Sequence, residues 1–557
     1  MRHLTFFLLI IFSFLLYTAV SYGDTKTASS GNWSTPAIWS PNGVPASTDD
    51  IIIPTGVKVT LDISFSLNAG HTLTIDGTGV IIFQKSTGNS SDTLMILGTI
   101  KFTSNSQNSI DGAQQGTKQN IFVLGNGALL ISDNPYGVTG ANCSITADPT
   151  HLLINLSNSA NFEFNFAGSQ NMLGMPATVN NLILSGSGTK TLAAATTVNG
   201  ALTIGSGATF TVVNGTNNFA LTSNGDFTNN GTFTAGTGTV TLSGSSAQTL
   251  GGNTATTFNN LAMNNSAGVT LGNNEIVGGT LTLTSGKITT GTNALTLGTS
   301  TSLLGTLSPA TPSSSSYIVG NFERWFSNTT NTGMVWFPVG TVTSFRPAGI
   351  QFTSVPSAGG KILVAGNNTD PGTKNAISSL TDGTYTIDRY SKEAWWQVTP
   401  TGLTGGTYSI SLGAYNISGV STTNFTLLRV LKRADANSDW GFLGNHSNAT
   451  GTYTSPVVKR TGLSGFSQFG IGGNSTDGNY LNDSPLPVSL ASFTTNVSGR
   501  NITLKWTTSG ETNNSGFNIE RKGFSGDFVK VGFVQGKGTV STPSSYEFTD
   551  RNLVSGK

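Results

Sequence analysis

The first half of the chain keeps returning to one local pattern, a few residues that alternate apolar with polar and close on glycine, asparagine or serine. "GVKVTLDI", "HTLTIDG", "GALTIGSG", "GTVTLSG" and "GTLTLTSG" are five instances. A period of two places every second side chain on one face, which predicts short strands between tight turns. No long helical periodicity follows the first 23 residues. The chain is therefore expected to be nearly all-β. Its 70 glycines, and a charged fraction of 10% against about 25% in ordinary globular proteins, also suit a low-complexity disordered chain. The sustained alternation argues for a packed fold instead.

An internal repeat narrows the architecture. "TVNNLILSGSGTKTLAAATTVNGALTIGSG" from Thr178 returns 79 positions later as "TFNNLAMNNSAGVTLGNNEIVGGTLTLTSG". Leu182 aligns with Leu261, Val198 with Val277, Gly200 with Gly279 and Leu202 with Leu281, without a gap. Upstream, "AGSQNML" around Gln170 is similar to "SSAQTLGG" around Gln248. A block this long holds several coils of roughly 20 residues. Each coil leaves an apolar face that only its neighbours can cover.

The "NNLxL…LTLxSG" phrases, with "GNWSTPAIWSPNGVPASTDDIIIPTGVKVTL" near the start, resemble right-handed parallel β-helix regions of secreted bacterial surface proteins. The resemblance implies a capped solenoid over residues 24–305. Trp33 and Trp39 would cover its open end, and Asp49 and Asp50 would form the turn into strand 51–53. An uncovered end would leave backbone groups free for edge pairing. Adjacent aspartates on a strand point to opposite faces, which favours turn chemistry over catalysis for this pair.

Many β-helices cleave acidic polysaccharides with several carboxylates and a base. Between residues 155 and 300 the only acids are Glu163, Asp226 and Glu275, and the only bases are Lys190 and Lys287. They are widely spaced, whereas glycoside hydrolysis needs two carboxylates about one bond. The solenoid reads as non-catalytic, and no enzyme activity or cofactor is expected.

After the Ser/Pro-rich "SPATPSSSS", read as a linker over 306–316, the texture gains aromatics, Arg and Pro. "KILVAG", "EAWWQVTP", "TYSISLGAY" and "FTLLRVLKR" suggest a β-sandwich over 317–474. Trp395 and Trp396 must face opposite sides of one strand, so one of them is a candidate for stacking on a sugar ring. In "RADANSDWG", Asp435, Asn437 and Asp439 alternate before Gly441, close to the start of a calcium loop. The glycine falls one place late and no glutamate follows at the twelfth position, so an ordinary turn is the competing reading and Ca²⁺ the one metal to test.

After a linker at 475–484, residues 485–557 carry "LPVSLASF", "LKWTT", "ETNNSGFNIER" and "YEFTDRNLVSGK". They resemble the fibronectin type III-like module near the C-terminus of proteins exported by type IX secretion. Ile502, Leu504 and Trp506 alternate toward a core, as do Phe517 and Ile519. A module of this kind needs further strands beyond "SGK", so the sequence is expected to be a fragment or an interrupted reading frame.

The compartment follows from the start. Arg2, an apolar run from Leu4 to Leu16, and small residues at Ala19, Ser21 and Gly23 have the layout of a signal peptide over 1–23. No later run reaches the ~18 apolar residues of a membrane span. With net charge +1 and no charged run, nothing directs the chain to nucleic acid or anionic membrane. The lone Cys143 is expected to be buried and inert. The expected function is a secreted or cell-surface, adhesin-like structural protein: a β-helical stalk presenting sandwich modules to a glycan or matrix ligand. The alternatives are a carbohydrate-binding or polysaccharide-processing protein and, less favoured, an ice-binding solenoid using outward threonine rows.

Overall fold

The computed structural model describes residues 23–84, 91–112, 119–146, 148–329, 333–372, 380–474, 489–523, 527–540, 542–551 and 553. The expected signal peptide and the linker at 475–484 lie outside these residues, apart from Gly23. The described chain is nearly all-β, its short strands separated by turns. Its only helical pieces are single 3-10 turns at Pro36–Ile38 and Phe425–Leu427.

The alternating segments stack in parallel as a solenoid of about 13 turns. Three columns of short strands form its sides. One column shows how the sequence period becomes a core. Ile51, Leu73, Ile100, Leu130, Phe162, Leu182, Leu202, Phe227, Leu250 and Leu271 lie directly over one another, one per turn. All ten are buried. Each contributes about 1.5–3 kcal/mol of apolar burial, while the outward residues between them are mostly polar, with Ile52, Ile131 and Ile183 as apolar exceptions. One outward row runs Thr178, Thr197, Thr222, Thr241, Ala262, Thr282 and Ser308.

The 79-residue repeat is not a whole number of turns. Four turns beyond Leu182, through Leu202, Phe227 and Leu250, lies Leu271. Its sequence counterpart Leu261 instead belongs to the neighbouring column, Leu221–Val240–Leu261–Leu281. The duplicated block thus falls one face short of four turns, and equivalent residues look out of different sides. The fold accepts this because every side imposes the same in–out alternation.

The glutamines aligned by the repeat keep one role across that rotation. Gln170 is buried, accepts the Phe166 N–H at 3.2 Å, and donates to the carbonyls of Ser132 at 2.7 Å and Asn134 at 2.9 Å on the preceding turn. Gln248 accepts the Gly244 N–H at 3.2 Å and donates to Ser223 O at 2.9 Å and Gly225 O at 2.6 Å. Each amide satisfies a corner where the strand ladder cannot. Gln248→Leu would leave the Gly244 N–H and one N–H of the Asn265 amide without their acceptor, while the carbonyls of Ser223 and Gly225 keep the Ser243 N–H and the Ser223 hydroxyl at 3.0 Å each. A loss of about 2–3 kcal/mol follows at ~1–3 kcal/mol per unsatisfied buried group. Hydrogen exchange should show that loss confined to the turns on either side of residue 248.

At the N-terminal end, Trp39–Ser40 pairs antiparallel with Thr27 and Ala28 and so covers the outer edge of the first parallel strand. Trp33 and Trp39 are buried with ring centroids 5.0 Å apart, Phe65 lies 4.8 Å from Trp33, and the Trp39 indole N–H donates to Trp33 O at 2.9 Å. Asp49 points inward and fastens the entry turn, accepting the N–H of Asp24 at 2.9 Å and of Ala46 at 2.8 Å. Asp50 points outward and accepts the Thr72 N–H at 2.7 Å. Cys143 is a free, buried thiol, and burial pushes it up to about 11.

The stretch 306–316, expected as a linker, is ordered into the solenoid. Thr306–Ser308 pairs in parallel with Thr280–Thr282, and Ser316–Val319 pairs with Gly286–Thr289. Ser316–Phe326 then does double duty. Its first part closes the last turns of the solenoid, and Phe322–Phe326 pairs antiparallel with Gly360–Val364 of the next domain. The sheet therefore passes from solenoid to sandwich without a break. One sandwich sheet continues through Gly360–Asn367, Arg389–Thr401, Gln468–Gly473 and Arg429–Arg433. The other comprises Val335–Phe337, Ala348–Ser354, Thr407–Gly413, Ser455–Leu463 and Asn445–Thr452.

Ser489–Ser498, Asn501–Arg521, Val529–Val540 and Ser544–Asp550 form a separate four-stranded antiparallel sheet. Trp506, Ile519 and Tyr546 make its small core, with Leu504 and Phe517 packed against it. Phe493, Val497, Phe528, Val529 and Phe533 are exposed on this sheet and its loops.

Candidate functional site

The expected aromatic platforms lie on the sandwich strand Arg389–Thr401, and the calcium candidates lie in the turn after Arg429–Arg433 of the same sheet. Alternation there decides what each side chain can reach. Trp396 faces inward, fully buried, with its indole N–H donating to Arg346 O at 2.8 Å. It cannot stack on a sugar. Trp395, on the opposite face, is half-buried, and its indole N–H is buried without a hydrogen-bond partner. Of the two expected platforms, only Trp395 reaches the surface.

A small second core covers that outer face. Ile387, Leu431 and Trp440 are buried there, flanked by Leu380, Tyr385, Tyr390 and Phe442. Trp440 fits because position 470 is glycine: a Cβ there would stand 3.0 Å from the indole. The Arg433 guanidinium lies 4.2 Å from the Trp440 ring. Its N–H groups are spent on Gln468 Oε1 at 2.8 Å, Gly372 O at 2.9 Å and Pro371 O at 2.6 Å. The arrangement clamps the loop to the sheet.

Beside it sits a charged centre that the sequence reading did not identify. Asp382 takes both ends of the Arg460 fork, at 2.8 and 3.2 Å, and lies 3.4 Å from Arg429 Nε. Arg460 is fully buried, 4.4 Å from the Phe442 ring. Burial pushes the Asp382 carboxyl up, but the Arg460 hydrogen bonds and the two cationic charges outweigh it and hold the group below the usual carboxylate range. The available signal was Arg429, Leu431 and Arg433 alternating on one face of "RVLKR".

The calcium candidates occupy the turn after this strand. Asp435 Oδ1 accepts the Asn437 N–H at 2.9 Å and the Ser438 hydroxyl at 2.9 Å, and its backbone carbonyl accepts the Ser438 N–H at 3.1 Å. That is an Asx turn. Asp439 lines a groove of about 470 Å³ with Lys432, Arg433, Phe442, Leu443 and Phe466. Among the described residues, no three His, Cys, Asp or Glu side chains converge as a metal site.

Comparison of the chain with protein-family models, with curated proteins and with solved structures finds no match.

Proposed function

We propose that this chain is a non-enzymatic, secreted or cell-surface structural protein, adhesin-like in design, in which a β-solenoid stalk holds a β-sandwich outward. The observation that carries the reading is the shared strand Ser316–Phe326, hydrogen-bonded to solenoid on one side and sandwich on the other. A stalk that presents a binding head must transmit position and load. Continuity of the backbone ladder does this better than a flexible linker. At ~4.8 Å per turn, about 13 turns make a rod of roughly 60 Å. The signal-peptide layout and the fibronectin type III-like resemblance support export and surface attachment. Half-buried Trp395 supports the second reading, carbohydrate binding by the head.

The test is a binding screen of the full chain against polysaccharides and extracellular-matrix proteins, with calcium and EDTA arms and product analysis. The expected result is saturable binding to one surface without turnover. Release of reducing ends or unsaturated products would overturn the non-enzymatic reading. Loss of glycan binding in Trp395→Ala would assign the ligand to the outer face of the head. EDTA-sensitive binding would bring the Asp435 turn back as a metal site.

A further inference from the structure

Where the last solenoid turn meets the sandwich, the alternation of "NFERWF" breaks its own rule. Phe322, Arg324 and Phe326 share the inward face, so a cation occupies a position built for an apolar side chain. Arg324 is 9% exposed and stacks in register with the buried Leu297 below it. Of its five N–H groups, one donates to Trp336 O at 2.9 Å, and Nε is buried without a partner. Among the described residues, no carboxylate compensates the charge. Glu323, its neighbour in sequence, points to the other face of the strand and is bound to Lys361 at 2.8 Å. Burial alone, with no opposing acid, pushes the Arg324 guanidinium down to about 10.

An uncompensated buried guanidinium is strongly unfavourable, and this one lines an open cavity of about 240 Å³. Solenoid residues Leu304, Leu307 and Ala310 form one wall, and Trp325, Met334 and Trp336 of the sandwich form the other. Position 349 is glycine, and a Cβ there would come within 2.6 Å of the Met334 sulfur and 3.0 Å of the Trp336 ring. The backbone thus makes room for the two side chains that shape the pocket. A single cation in a cavity whose walls mix polar groups with aliphatic and aromatic side chains selects an anion carried on an apolar body. A fixed N–H fork matches a carboxylate best. A cavity of ~150 Å³ holds benzene, so this one has room for a ring and its carboxylate.

We propose that the cavity between the last solenoid turn and the sandwich is a binding site for a small apolar monocarboxylate, with Arg324 as its counter-charge. The ligand would touch both domains at once and brace the junction on which the stalk depends. The proposal stands on the cavity and does not require the adhesin reading.

The test is calorimetric titration of the full chain with phenylacetate as the probe, beside phenylacetamide, acetate and inorganic phosphate. Phenylacetate should bind saturably, with phenylacetamide at least tenfold weaker because it lacks the charge, and acetate at least tenfold weaker because it lacks the ring. Arg324→Gln should abolish binding. Should that variant fold poorly, Ala310→Phe keeps the arginine and fills the exposed mouth of the cavity, and it should weaken phenylacetate at least tenfold. Equal binding of acid and amide, phosphate binding in place of phenylacetate, or unchanged affinity in Ala310→Phe would each overturn the assignment.

Discussion

Glu275→Gln should remove a large part of the pH dependence of the solenoid between pH 4.5 and 8. Glu275 begins an inward-facing strand position and is fully buried. Its Oε2 accepts the Thr256 N–H at 2.6 Å, while Oε1 is buried without a partner. Burial drives the carboxyl up from its ordinary 4.5 to about 8, against the pull of the Thr256 hydrogen bonds. A raised folded value means that the native state holds a proton the unfolded chain releases. The stabilising contribution is therefore whole below pH 4.5 and is lost as pH rises through 8. At 1.36 kcal/mol per pH unit, the loss approaches about 5 kcal/mol as an upper figure. Glutamine preserves the acceptor for Thr256 and cannot ionise. Amide exchange across residues 256–277, followed against pH in both proteins, should fall steeply in protection for the wild type and change far less in the variant. Parallel curves would mean that the native carboxyl is already ionised at neutral pH.

Glu275 also shows where sequence reading stops. Its alternation with Val277 was legible, and so was the scarcity of acids around it. That its inward position stacks on a polar interior was not, because Thr256, which donates to it, is 19 residues away and Asn229, which donates to the Thr256 hydroxyl at 3.2 Å, is farther still. The all-β class and the stacked coils were readable because inward residues obey a local period. The phase of the 79-residue repeat was not readable, since all three sides of the solenoid impose the same pattern on Leu182 and Leu261. The pairing at the ends of the 306–316 stretch was not readable for a related reason. Ser, Thr and Pro look alike in a linker and in a solenoid turn, and only the pairing of Thr306 with Thr280 distinguishes them. For the tryptophans, parity placed Trp395 and Trp396 on opposite faces. Which face was interior depended on the second sheet and on Arg346 O, 50 residues away. Arg324 carried a usable signal, a cation flanked at two-residue spacing by Phe322 and Phe326.

Arg460→Met should cost about 3–5 kcal/mol, the loss typical of removing one partner from a buried ion pair. The variant takes the bidentate fork from Asp382 and leaves the carbonyl of Gly444, now bonded at 3.0 Å, without that donor. Arg429 remains at 3.4 Å from Asp382 and limits the damage. The loss should concentrate in the hairpin Leu380–Asp382 with Tyr385–Ile387 and in Asn445–Thr452, the elements the pair ties together. Because the Asp382 carboxyl is held below its ordinary 3.8, its contribution is present above that pH and is lost as pH falls through the folded value. Acid should therefore weaken the wild type more than Arg460→Met, and the two proteins should converge in stability at low pH. Combining Arg460→Met with Asp382→Leu removes both members of the fork but leaves buried Arg429 without its carboxylate, so it should recover only part of the single-variant loss. Exchange protection of the hairpin, measured in all three proteins, separates the alternatives. If the double variant is as weak as the single one, the pair holds the outer face together through geometry that apolar packing cannot replace.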